Sequence, residues 1–259
     1  MAAILLDIDG VLHVSGEPVA GGGDAVRALR ADGHRLRFVT NNTTRARDQL
    51  AGELRGLGVE LDDAELTTTP VVAAQLLAGK RVLALTMAAA KEDLAARVEL
   101  VNRDAEVVLV GGADESEESG RVFSYANLNR AFGELDRGAR LVCLHRNRWW
   151  QTSRGPFLDA GAFVAGLEYA SGVEAQVIGK PTRAYFDAAL AELGATPDAA
   201  VMVGDDIESD IGGAKGAGMR AVLVRTGKFR PEMLAAAEVQ PDGVVESIVE
   251  VPAFLRESA

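Results

Sequence analysis

Ala3–Leu12 reads A-I-L-L-D-I-D-G-V-L. The run Ala3–Ile8 is apolar apart from Asp7, too short for most helices, and ends at a Gly10 turn, which predicts a buried strand. Its carboxyl end carries two acids, Asp7 and Asp9. On a continued strand these would point the same way, because side chains alternate with a period of two. Working outward, three further apolar runs lead directly into polar clusters. They are Thr40–Asn41–Asn42, Gly179–Lys180–Pro181, and Gly204–Asp205–Asp206 with Asp210 four residues beyond.

Between these clusters the chain alternates short apolar runs with helix-periodic segments. Strands are expected at Arg35–Val39, Arg81–Leu85, Val107–Val110, Arg140–Leu144, Ala200–Val203 and Ala221–Val224. Helices are expected at Asp24–Ala31, Arg45–Leu57, Pro70–Leu77, Lys91–Val98, Phe123–Leu135, Ala162–Tyr169, Arg183–Leu193 and Ser209–Ala217. Such alternation predicts an α/β protein with a doubly wound parallel sheet. Glycines end helices near 78–80 and 171–172, which suggests that 79–175 is an inserted α/β domain and that 1–78 plus 176–259 form one core.

Composition narrows the function. The formal net charge of −11 disfavours binding to a nucleic-acid backbone. The longest apolar runs fall far short of the ~20 residues a membrane span needs, and the start meets Asp7 at once without a basic leader. A soluble, cytoplasmic protein without membrane partners is expected. Cys143, the single cysteine, reads as a buried inert thiol, and the absence of G-x-x-x-x-G-K-[ST] excludes a P-loop nucleotide site.

In an open parallel sheet, ligands gather beyond the carboxyl ends of strands. Four clustered acids then need protons or a cation. Two like charges ~4 Å apart repel by about 4 kcal/mol at an effective dielectric near 20. Carboxylate oxygens without clustered cysteine or histidine favour a hard ion, Mg²⁺ before zinc. Lys180 and the Thr40 and Asn41 donors suit phosphate oxygens.

The ordered set D-x-D-G-V, T-N-N, G-K-P and G-D-D-x-x-x-D resembles the haloacid dehalogenase superfamily of phosphatases, in its NagD-like branch. The resemblance implies a Rossmann-like core with an inserted cap and a Mg²⁺-dependent phosphatase of small phosphomonoesters, with pyrophosphate or phosphoamides as further options. By it, Asp7 is the nucleophile and Asp9 the acid and base. The metal is held by Asp7, the Asp9 carbonyl and Asp205. Thr40, Asn41 and Lys180 hold the phosphoryl group, and Asn42, Asp206 and Asp210 support them. It also implies dimerisation through the cap. Phosphotransferase, mutase, dehalogenase or phosphonatase chemistry, and non-catalytic phospho-ligand binding, stay open as alternatives.

Other polar residues carry plainer readings. The segment 137–154 holds five arginines and His145 without an acid, which reads as a solvated edge with one or two substrate contacts; His145 and Arg148 are its candidates. Asp159 is most simply a helix N-cap, with a substrate contact as the other reading. Trp149 and Trp150 are expected in the core. His13 is a candidate for contact with the leaving group.

Overall fold

A computed structural model describes residues 2–152 and 154–258. The strand Ala3–Asp7 is buried along its whole length and lies at the centre of a six-stranded sheet among the described residues. The sheet order is Gly243–Val245, Arg220–Val224, Ala200–Gly204, Ala3–Asp7, Arg35–Thr40, Leu66–Thr68. Ala3–Asp7 pairs in parallel with Arg35–Thr40 on one side and Ala200–Gly204 on the other. From this central strand the chain winds outward on one side, then returns to build the opposite side. The switch point therefore lies between the ends of Ala3–Asp7 and Ala200–Gly204, where such sheets open a crevice.

The chain divides into two compact units. The first comprises 1–40, 47–67 and 180–259; the second comprises 41–46 and 68–179. The first crossing into the long second segment thus precedes the helix Thr69–Leu76, which packs on Ala88–Ala95 of the same unit.

In the first unit, Ile4, Leu6, Phe38, Val201, Val203 and Val222 are fully or nearly fully buried beneath Val26, Leu29, Leu54 and Val251. β-branched and long aliphatic residues dominate these strands because both faces of the sheet are covered. One polar group is built into this core. The buried Tyr185 hydroxyl accepts the Thr40 N–H at 2.9 Å and faces the carbonyls of Thr40 and Thr67, each at 2.9 Å. Burial pushes its pKa well up, so the phenol stays neutral and keeps its proton to donate.

The second unit has its own parallel sheet, ordered Gln176–Val177, Arg140–Cys143, Val107–Val110, Arg81–Leu85, Glu99–Leu100. Its core gathers Val108, Val110, Leu141, Cys143, Val164 and Leu167, with the Phe123 and Phe163 rings stacked 4.0 Å apart. Cys143 is buried, and desolvation pushes its thiol up to about 11, as expected of an inert side chain. No described helix is long and apolar enough to cross a membrane.

Three local expectations are corrected. Trp149 is not in the core: it begins the hairpin Trp149–Thr152/Gly155–Leu158 and is 53% exposed. The Trp150 side chain lies outside the described residues. The expected helix Ser209–Ala217 is instead a wide turn over Ile207–Gly212 followed by a short helix, Gly213–Gly216. Its width shows in the Ile211 N–H, which reaches back five residues to the Asp206 carbonyl. Finally, the first strand stops at Asp7, so the period-two alternation does not extend to Asp9.

Candidate active site

Asp7 ends the central strand and Asp205 follows the neighbouring one, so the switch point brings them together from positions far apart in sequence. The wide turn then points Asp210 back toward them. The Asp206 carboxylate starts this turn by accepting the Glu208 and Ser209 N–H groups, and Asp210 Oδ2 accepts the Asp206 N–H at 3.1 Å. Asp7, Asp205 and Asp210 are each at most 6% exposed, and one carboxylate oxygen from each lies within 4.8 Å of the others.

Lys180 reaches this cluster as the chain re-enters the first unit. Its ammonium donates to Asp7 Oδ1 at 2.6 Å and to Asp210 Oδ1 at 2.7 Å. Burial alone would lower the Lys180 pKa, but Asp210 and Asp7 outweigh it and hold the ammonium well above its ordinary value. The Asp7 carboxyl is raised well above the usual range, first by burial and then by Asp210, against the pull of Lys180.

A loop with no role expected from the sequence borders the cluster at Asp205. The Lys228 N–H donates to Asp205 Oδ2 at 2.6 Å, while its ammonium lies 3.4 Å from Asp206 Oδ2. Thr226 donates to the Gly10 carbonyl. Gly10 (φ +90°) and Gly227 (φ +64°) have positive φ, and a Cβ on either would overlap Asp205 Oδ2. The absence of side chains at these two positions lets the backbone close around this carboxylate. The available signal was the strand Arg220–Val224, whose carboxyl end leads into T-G-K.

This donor set fits a hard divalent cation. Three carboxylates face one ammonium, which leaves two negative charges in excess if all are ionised. Moreover, Asp205 Oδ1 is buried without a hydrogen-bond partner among the described residues. An orphaned carboxylate oxygen of this kind is costly unless a cation meets it.

The same groups predict a pH dependence of stability. Asp205 is pushed up to about 6, by burial first, against the Lys228 N–H and with help from Asp210. Its folded-state pKa exceeds the unfolded value, so its contribution is fully present below about pH 4 and is lost as pH rises through 6. Asp205 alone accounts for about 3 kcal/mol, and Asp7 acts in the same direction. Asp206 and Asp242, held below their ordinary values, act oppositely only at lower pH, and His145, lowered by burial from 6.5, offsets part of the loss below that pH. Metal-free protein should therefore melt at lower temperature as pH is raised from about 5 to 8, and added Mg²⁺ should reverse the loss. A flat metal-free profile would contradict the cluster's electrostatics.

Asp9 takes no part in the carboxylate cluster. Its side chain is 59% exposed, with Thr40 Oγ1 3.4 Å from Oδ2 and His13 Nε2 3.6 Å from Oδ1. The turn that places it is made by the N–H groups of Val11, Leu12 and His13, all directed at the Ile8 carbonyl.

The remaining candidates belong to the second unit. Asn41 Oδ1 accepts the Thr69 hydroxyl at 3.3 Å, and Asn42 Oδ1 accepts the Thr44 and Arg45 N–H groups. His145 and Asp159 are buried. His145 Nδ1 accepts the Asn147 N–H at 3.4 Å, which leaves the proton on Nε2, 3.2 Å from Thr43 Oγ1 and 3.8 Å from Asp159 Oδ1. Burial lowers the His145 pKa against the opposing charge of Asp159. Asp159 caps its helix by accepting the Ala160 N–H. Arg148 is exposed, whereas Arg137, Arg146 and Arg154 meet Glu134, Glu168 and Glu115.

The family model for haloacid dehalogenase-like hydrolases matches residues 4–117, and a HAD-hydrolase-like model matches 177–251. Phospholysine phosphohistidine inorganic pyrophosphate phosphatase of Xenopus laevis is 41% identical over 256 residues, which cover 95% of this chain and 91% of that protein. The chain belongs to the haloacid dehalogenase-like hydrolases. Within that family it is an enzyme of the phosphate-ester hydrolase class. The solved p-nitrophenyl phosphatase from Archaeoglobus fulgidus superposes with a TM-score of 0.89 at 28% identity, covering 98% of each chain. The glycerol phosphate phosphatase from Mycobacterium tuberculosis in complex with magnesium gives 0.83 at 28%, covering 95% of this chain and 75% of that one. The α/β class and doubly wound core expected of this hydrolase are thereby met.

Proposed function

We propose that the chain is a Mg²⁺-dependent phosphatase of small phosphorylated metabolites, working through an aspartyl-phosphate on Asp7. The observation that supports this best is the buried trio Asp7, Asp205 and Asp210, with a single ammonium on Asp7 and Asp210 and a bare oxygen on Asp205. Asp7, Asp205 and the backbone carbonyl of Asp9 would hold the ion, with Asp210 beside them. Bound there, Mg²⁺ supplies positive charge that reduces repulsion between the carboxylates and an anionic ester.

Asp7 attacks phosphorus through a carboxylate oxygen. As that bond forms, the ester P–O bond breaks and Asp9 gives its proton to the leaving oxygen. In the second half Asp9 takes a proton from water, the water oxygen bonds phosphorus, and the Asp7–phosphorus bond breaks. Splitting one displacement into two lowers each barrier. Lys180 keeps Asp7 oriented and offsets charge, and Thr40 and Asn41 donate to phosphoryl oxygens. Asn42, Asp206 and Lys228 hold the surrounding backbone. The second unit is read as the cap that selects the substrate, with His145, Arg148 and Asp159 as its candidate contacts. Pyrophosphate and phosphoamides join phosphomonoesters as substrates to try, because the Xenopus relative is named for them.

Phosphate release from a panel of phosphorylated metabolites, with Mg²⁺ and with EDTA, tests this. Release is expected with Mg²⁺ and should fall at least about 100-fold under EDTA. Release that is indifferent to chelation would overturn the metal assignment, and no release from any member would overturn the activity.

A further inference from the structure

The Asp9 side chain is largely exposed, yet the proposed reaction needs its carboxyl at one place relative to Asp7. An exposed two-torsion side chain has nothing of its own to prevent it from swinging into solvent. Two side chains flank it, His13 and Thr40. His13 leads the short hairpin His13–Val14/Glu17–Pro18, and its carbonyl accepts the Gly10 N–H at 2.7 Å, so its backbone closes the turn that carries Asp9. Its imidazole is 12% exposed and places Nε2 3.6 Å from Asp9 Oδ1. The other ring nitrogen, Nδ1, is buried without a hydrogen-bond partner among the described residues. Burying an imidazole with one nitrogen unpaired costs free energy, and the ring is held there with its other nitrogen facing Asp9. Thr40 Oγ1 stands 3.4 Å from the opposite oxygen.

We propose that His13 is a positioning residue for Asp9, holding the carboxyl between itself and Thr40 so that it meets the leaving oxygen. The inference rests on the reading of Asp9 as the proton donor. His13 touches neither phosphorus nor metal in this account. Its effect should therefore appear only where the leaving group needs a proton.

Single-turnover release of the leaving group, with saturating Mg²⁺, separates this from a structural role. An alkyl phosphate such as glycerol phosphate needs protonation as it leaves, whereas p-nitrophenyl phosphate expels a stable phenolate without it. His13→Phe should slow release from the alkyl ester about 10- to 100-fold, as a displaced catalytic group does. Release from p-nitrophenyl phosphate should stay within about threefold. His13→Gln, whose amide N–H can meet Asp9, should recover most of the alkyl rate. Equal losses on both esters, no loss on either, or no recovery in the Gln variant would each overturn the proposal. Asp9→Asn serves as the reference. If it slows both esters alike, the assignment of Asp9 itself fails; if it slows the alkyl ester selectively while His13→Phe does not, only the role of His13 fails.

Discussion

Asp7→Asn is expected to lower turnover by about 10⁴-fold or more while leaving the fold intact, the scale on which nucleophiles are lost in covalent catalysis. The amide keeps the shape of the carboxylate and can still accept the Lys180 ammonium through Oδ1, where the bond is now 2.6 Å. It lacks the charge and nucleophilicity to bond phosphorus. The substitution also removes a carboxyl that is unfavourable to ionise, first because it is buried and then because Asp210 and Asp205 face it. Metal-free Asp7→Asn should therefore melt no lower than metal-free wild type at pH 8. Steady-state turnover, acid-quench detection of the phosphoenzyme and a melting curve check the three parts together. Metal-dependent turnover that persists in the variant would remove Asp7 from the mechanism.

Lys180→Met should damage stability as well as rate. The Lys180 side chain is 3% exposed, and its ammonium contacts two buried carboxylates, Asp7 and Asp210. Deleting it leaves those anions with no ammonium partner, and breaking a buried ionic set costs about 3–5 kcal/mol. In a protein of this size that corresponds to a fall of roughly 10 °C in melting temperature. The loss should shrink at pH 5, where Asp7, raised well above its ordinary value, takes up a proton, and widen at pH 8. Turnover should fall about 10²- to 10³-fold, the usual cost of losing a fixed charge-stabilising group. A variant that melts like wild type at pH 8 would show that Lys180 is not what balances the cluster.

The parts of the site that were legible in the sequence are those set by strand ends. Asp7, Asp205 and Lys180 each follow an apolar run, and parallel pairing turns such runs into neighbours. The position of Asp210 was legible as a spacing but not as a geometry. Four residues after Asp206 suggests an ordinary helical turn, whereas the Asp206 carboxylate caps the N–H groups of Glu208 and Ser209 and the turn widens. Asp9 was misplaced for a related reason: alternation holds only while the strand lasts, and hydrogen bonds to the Ile8 carbonyl end it. Lys228 was not found because its contribution to Asp205 is a backbone N–H, which any residue except proline carries. The strand Leu66–Thr68 is three residues long and is followed at once by Thr69–Pro70, too short for period to register. Trp149 shows the limit of hydrophobicity as a guide: large apolar side chains do reach the surface, and composition alone does not say which.

One phenol gives the fold a modular character. The chain leaves the first unit after Thr40 and after Thr67, and it comes back at Arg47 and at Lys180, the second return five residues before Tyr185. The Tyr185 hydroxyl ties down both departure points at once. The long excursion 68–179 begins from an anchored end, so lengthening, trimming or exchanging it leaves Asp7, Asp205 and Asp210 on elements of the first unit. A scaffold rooted in this way can acquire new specificities by grafting while its chemistry is inherited unchanged.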